Sequence, residues 1–161
     1  MSRSNSTCLR RYLTPGLIAI GVFLGMAAWQ PCAADPNDAK IIQDCVNANS
    51  ELQCIGKVFA LCAPKPSDIP LQAQTACFAR EYQAWDSVLN DTYQRLATQV
   101  DPAAKPKIAG VKTNWAAARQ QTCEFFAAAH TGDLAAMRLN ICLQTETANR
   151  VYLIMSMTSM F

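Results

Sequence analysis

Few side chains in this sequence are able to do chemistry. Histidine occurs once, at His130, so any Cys-His or Ser-His nucleophile would depend on that residue. It follows Phe125-Phe126-Ala127-Ala128-Ala129, at what reads as a helix C-terminus, where the helix dipole favours a cation; a structural role is expected. Cysteine is plentiful, with eight residues, but no C-x-x-C pair and no neighbouring histidine supplies a zinc-type ligand set, so no metal residues are assigned. An exported lysozyme-like hydrolase would need two carboxylates facing one cleft about 5–9 Å apart. Glu81 and Asp86 are five residues apart on a helical stretch and point in different directions. There is no H-E-x-x-H, no phosphate-cradling glycine loop and no G-x-S-x-G elbow. The expectation is a protein without catalytic or cofactor-binding residues and without a cofactor: a binding protein rather than an enzyme.

A polar row is more informative. Asp86, Asn90 and Tyr93 follow one another at spacings of 4 and 3, and Trp115, Arg119 and Cys123 at spacings of 4, so each set lines one face of a helix. Arg119 is expected to contact Asp86 or Asn90 across a helix interface. Such a strip is more often a buried hydrogen-bonded network that fixes helix pairing than a ligand site, and that structural role is the one assigned. Asn90-Asp91-Thr92 matches a glycosylation sequon, but it lies inside a helix beside the core and is set aside.

The elements that must position these residues begin after residue 34. Arg3, Arg10 and Arg11 without an acid, an apolar stretch from Leu17 to Ala28, and small residues at Cys32-Ala33-Ala34 have the layout of a general export signal, with cleavage expected after Ala34. Removing those 34 of 161 residues leaves 127, carrying 11 basic and 12 acidic residues, so the apparent basicity belongs to the signal. A near-neutral surface without a polybasic run gives no argument for nucleic acid or a membrane surface, and no stable membrane span is expected after cleavage. The expected location is periplasmic or secreted. Six cysteines survive, Cys45, Cys54, Cys62, Cys77, Cys123 and Cys142, and an even count in a short exported chain reads as three disulfides.

Helices are expected over about 38–48 and 51–62, joined at Asn47-Ala48-Asn49-Ser50, with Ser50 capping the second. Prolines 64, 66 and 70 then stop helix and give a stiff, exposed loop containing Lys65, Ser67 and Asp68. Phe78, Tyr82, Trp85, Leu89, Tyr93, Leu96 and Val100 step by 3 or 4 and predict a long helix over about 71–100. Asp101-Pro102 should end it and cap the next, whose apolar face reads Ile108, Val111, Trp115, Ala118, Thr122, Phe125 or Phe126, and Ala129. Gly132 and Asp133 open a third long helix carrying Leu134, Met137, Ile141, Ala148, Val151, Tyr152 and Met155, with a frayed end near Phe161. The fold class is all-α: three long antiparallel helices (71–161) and an N-terminal disulfide-bonded helical hairpin with a Pro-rich loop (35–70), forming one compact unit. The expected disulfides are Cys45 with Cys54, Cys62 with Cys77, and Cys123 with Cys142. The last rests on two antiparallel helices flanking Gly132 at comparable distances.

The ordered set Cys77, Glu81, Trp85-Asp86, Leu89-Asn90 and Tyr93, then Trp115, Arg119 and Cys123, then Cys142, Thr147, Arg150 and Leu153, resembles the lysozyme inhibitor LprI-like family of exported bacterial domains. The resemblance covers roughly 75–155, and Cys54-Ile55-Gly56 through Cys62 is similar to the cysteine-containing extension of proteobacterial members. It implies a helical, non-enzymatic envelope protein with a protein partner, a lysozyme, and it adds Arg150 to the polar network. Blocking of a muramidase cleft by the rigid loop at Lys65, Ser67 and Asp68 is the mechanism that reading would use, although loops of this composition are more often plain solvated connections between helices. The competing expectation is a non-inhibitory structural or adaptor protein of the envelope.

Overall fold

The computed structural model describes residues 35–48 and 52–158, all within one compact unit, Ala34–Phe161. The expected export signal (1–34), the Ser50 cap and the tail after residue 158 lie outside the described residues. Five α-helices and no strand occur among them: α1 (Pro36–Ala48), α2 (Lys57–Cys62), α3 (Leu71–Gln99), α4 (Lys105–Ala127) and α5 (Gly132–Thr158). No described helix is long and apolar enough to cross a membrane.

The chain goes up along α3, down along α4 and up again along α5, so α3 and α5 run parallel. Thr75 near the start of α3 donates to the Asp133 carbonyl at the start of α5, and Arg150 meets Tyr93 near their other ends. The core lies mainly between these two helices and the N-terminal segment. Trp85, Val88, Leu89 and Tyr93 from α3 pack with Ala148, Val151 and Ile154 from α5 and with Ile42, Val46, Cys54 and Val58 from the N-terminal segment.

The second expected helix is broken. A 3-10 turn at Leu52–Cys54 precedes α2, and between them Gly56 takes φ 91°, a left-handed conformation that glycine adopts without steric cost. The break turns the first amides of α2 onto a carboxylate from α3. Glu81, fully buried, accepts from the Gly56 amide at 2.5 Å, the Phe59 amide at 2.6 Å and the Trp85 indole at 3.3 Å. A side chain distant in sequence thus caps α2, satisfying amides that a short helix leaves without partners and placing negative charge at its positive end. Nearby, buried Asp38 binds Arg80 through two bonds of 2.6 and 2.7 Å, which ties α1 to α3.

Two features of α4 depart from the sequence reading. Asp101 and Pro102 form a separate turn, with the Asp101 carboxylate accepting from the Ala103 amide at 2.7 Å, and the helix itself starts at Lys105 with Pro106 in its first turn. Its buried residues are Arg119, Cys123 and Ala127; of the expected face Ile108 and Trp115 pack partly buried against the core, whereas Val111, Ala118, Thr122, Phe125, Phe126 and Ala129 are exposed. The face is rotated because the contact to α5 is made by a disulfide and a guanidinium rather than by the apolar side chains that dominate a periodicity count.

Candidate functional site

Two places in the fold concentrate the polar residues singled out by sequence. The first is the seam where α4 crosses α3 and α5. Arg119 lies there with its side chain 7% exposed, donating from Nη1 to Asp86 Oδ1 at 3.1 Å and to Thr147 Oγ1 at 2.7 Å, and from Nη2 to Tyr82 Oη at 3.0 Å. Its guanidinium also sits over the Tyr82 ring at 5.2 Å and the Trp115 ring at 4.8 Å. Arg150 repeats the motif one step along, donating from Nε to Tyr93 Oη at 2.9 Å and lying over both Tyr93 and Trp115. Trp115 therefore receives two cations, an arrangement worth about 0.5–2 kcal/mol for each pair depending on its exposure.

Asn90 shares the α3 surface with Asp86 and Tyr93, yet no hydrogen bond among the described residues reaches its side chain, and Arg119 goes to Asp86 instead. The sequence reading missed Tyr82 and Thr147 as partners of Arg119. Tyr82 sits one turn before Asp86, and its phenol had been counted only as apolar surface; Thr147 belongs to the motif but carries no spacing cue of its own. The Nε of Arg119 is buried without an acceptor, so packing fixes the guanidinium as much as hydrogen bonding does.

Burial pushes the Tyr82 hydroxyl above the ordinary phenol value; Arg119 pulls it down and Asp86 adds to the rise. Tyr152, whose hydroxyl is buried without a partner, is raised by burial too. A phenol raised in the folded state stabilises the fold fully below the unfolded value of about 10 and loses that contribution as pH climbs through the folded value. The urea midpoint is thus expected to fall above pH about 10. The Tyr82→Phe, Tyr152→Phe double variant should have a shallower decline, and a slope equal to that of the unsubstituted protein would remove both phenols from the account.

The second place is the loop between α2 and α3. Residues 64–68 are exposed throughout, and Lys65, Ser67 and Asp68 occupy a 3-10 turn at Pro66–Asp68 and its entry. The base is fastened on several sides. Cys62 and Cys77 are joined by a disulfide, Phe59 stacks on Phe78 with ring centres 4.0 Å apart, and Gln74 Nε2 donates to the carbonyls of Pro66 and Ile69 at 2.9 and 3.2 Å. The Asp68 amide closes the turn on the Lys65 carbonyl at 3.0 Å, and Ser67 Oγ donates to Asp68 Oδ1 at 3.0 Å. Leu61, 63% exposed, sits one residue before the disulfide. The loop and the seam are distinct, so the structure does not unite the two sets into one site.

The remaining disulfides join Cys45 to Cys54 and Cys123 to Cys142. Among the described residues no group of His, Cys, Asp and Glu could hold a metal ion. His130 is partly exposed just beyond α4, its amide donating to the Ala127 carbonyl at 3.0 Å.

These features define a class: an all-helical, disulfide-bonded domain that holds two arginines, Arg119 and Arg150, in an aromatic seam and presents one fastened loop. The profile of the family Lysozyme inhibitor LprI matches residues 62–153, and the chain belongs to that family. No curated protein and no solved structure matches it.

Proposed function

We propose that this protein is an exported, non-enzymatic inhibitor of a lysozyme-type muramidase, acting in the periplasm or outside the cell after removal of a signal at residues 1–34. Family membership supports the inhibitory reading. Three disulfides suit an oxidising compartment. The observation that carries the mechanism is the loop at 64–68, which is exposed along its length and yet fixed at its base by a disulfide and by Gln74. A protruding segment already held in one conformation loses little entropy on binding, which is what a cleft-blocking element needs. Lys65 supplies a cation for the carboxylates that flank a scissile glycosidic bond, and Leu61 an apolar contact beside it. The seam of Arg119 and Trp115 then has the supporting role of holding α4 against the α3–α5 pair.

Oxidised protein titrated into a peptidoglycan suspension with several lysozymes should slow lysis in proportion to dose, and reduction and alkylation should abolish the effect. Lys65→Ala with Asp68→Ala should weaken inhibition by about ten-fold or more, equivalent to ~1.4 kcal/mol. Thermal stability should barely move, because both side chains are on the surface. Unchanged inhibition by the double variant would discard the loop, and folded protein inert against every lysozyme class would turn the assignment to an envelope adaptor.

A further inference from the structure

At the end of the molecule opposite the loop, the last turns of α3 and α5 leave two adjoining hollows of about 260 and 250 Å³ that share Leu96, Ile154 and Thr158. One extends past Thr92 and Arg95, the other past Arg150, Leu153 and Met157. Leu153 and Met157, 49% and 51% exposed, form the outer edge one helical turn apart.

Charge decides what such a groove would accept. The ion pairs among the described residues are Lys40 with Asp44, Arg80 with Asp38 and Arg119 with Asp86, so neither arginine of the groove has a carboxylate partner. Among the described residues the Arg95 side chain is held by the neutral Gln43 and Thr92 oxygens, at 3.3 and 3.2 Å. Arg150 makes its hydrogen bond through Nε to Tyr93, which orients the guanidinium, and among the described residues neither terminal nitrogen has an acceptor. An open guanidinium fork matches a planar carboxylate through two parallel bonds. The lining beyond it is leucine, isoleucine and methionine, and methionine adapts readily to an irregular apolar chain.

We propose that this groove binds a medium-chain fatty acid such as decanoate, its carboxylate on Arg150 and its chain along Leu96, Ile154 and Met157. A slender occupant is favoured because Arg150 to Thr158 covers only roughly 12 Å of α5 at ~1.5 Å per residue. A protein partner would need far more surface, since a specific interface buries about 1,600 Å² in total. The groove is independent of the inhibitory loop, which lies beyond the other end of the 29-residue α3, roughly 40 Å away along the helix.

The test uses oxidised protein purified after expression of the full chain, titrated with decanoate by calorimetry and with methyl decanoate as the control. Saturable binding of one decanoate per protein is expected, and no comparable binding of methyl decanoate. Arg150→Gln and Met157→Asp should each weaken it by about ten-fold or more, the first by removing a charged hydrogen-bond donor and the second by putting a charge on the apolar path. Met157 is half-exposed, so that variant stays informative if Arg150→Gln fails to fold. Phe126→Asp, exposed elsewhere, should bind as the unsubstituted protein does. Equal binding of the methyl ester, equal binding by all variants, or no saturable binding would overturn the assignment. Self-association broken by Met157→Asp without fatty-acid binding would make the groove a contact between copies, and binding only to phosphatidylglycerol vesicles would make it a membrane contact; either result also overturns it. Lysozyme inhibition is expected to be unchanged by decanoate, so the two proposals fail separately.

Discussion

Replacing Glu81 with Ala is expected to lower the stability of the fold by roughly 3–5 kcal/mol, read as a fall in the urea midpoint at unchanged slope. The carboxylate is fully buried and accepts from two backbone amides and one indole, on Gly56, Phe59 and Trp85. Truncation leaves these donors facing protein without an acceptor, at about 1–3 kcal/mol for each one that water cannot reach. It also removes the negative charge at the N-terminus of α2. A domain of this size is stable by about 5–15 kcal/mol, so one substitution takes a large share. Glu81→Gln should fall between, because one oxygen still accepts while the amide nitrogen is turned toward a second donor. Gly56→Ala tests the same contact from the other side. A Cβ there meets no atom within 4 Å, so its cost is the left-handed backbone alone, about 1–2 kcal/mol. A midpoint shift for Glu81→Ala smaller than that for Gly56→Ala would mean that the buried carboxylate is not what holds α2.

The contrast between α3 and α4 shows what a sequence reading reaches. In α3 the residues that repeat every three or four positions are those that meet α5 and the N-terminal segment, so apolar periodicity locates the helix and its buried face together, and the structure begins it at Leu71 and ends it at Gln99. In α4 the same procedure finds the helix but only part of its inner face: Ile108 and Trp115 pack on the core, while Val111, Thr122, Phe125 and Phe126 are exposed. Arg119 and Cys123 do the joining there, and a buried guanidinium does not register in an apolar count. The row Trp115, Arg119, Cys123, chosen for its chemistry, marks the inward side better. Glu81 was illegible for a related reason. A glutamate inside a helix reads as solvent-facing, and nothing local states that Gly56 and Phe59, more than twenty residues earlier, bring their amides to it. The fastened loop is half legible: three prolines announce stiffness, but Gln74 as its brace is visible only once α3 is placed.

A chain beginning at Cys62 would contain every residue matched by the family, 62–153, and is nevertheless expected not to fold cooperatively. The segment before it is not an appendage. Ile42, Val46 and Val58 are at most 3% exposed and pack directly on the cluster around Trp85. Burying each contributes up to about 1.5–3 kcal/mol, and their loss would leave the same area of α3 facing water. Removal also takes away Asp38, leaving Arg80 without its carboxylate, and the Gly56 and Phe59 amides, leaving Glu81 buried with an indole as its remaining donor or drawn out into solvent. Together these losses match the whole stability of a domain this small. The 62–161 chain, with its disulfides oxidised, should keep much of its helical circular dichroism while losing a sharp thermal transition and gaining dye-binding apolar surface, the signs of secondary structure without fixed packing. A single cooperative transition within about 10 °C of that of the longer protein would show that the α3–α4–α5 unit is sufficient. In that case the disulfide-linked hairpin would be an accessory to the loop it supports, and its removal should then change inhibition rather than folding.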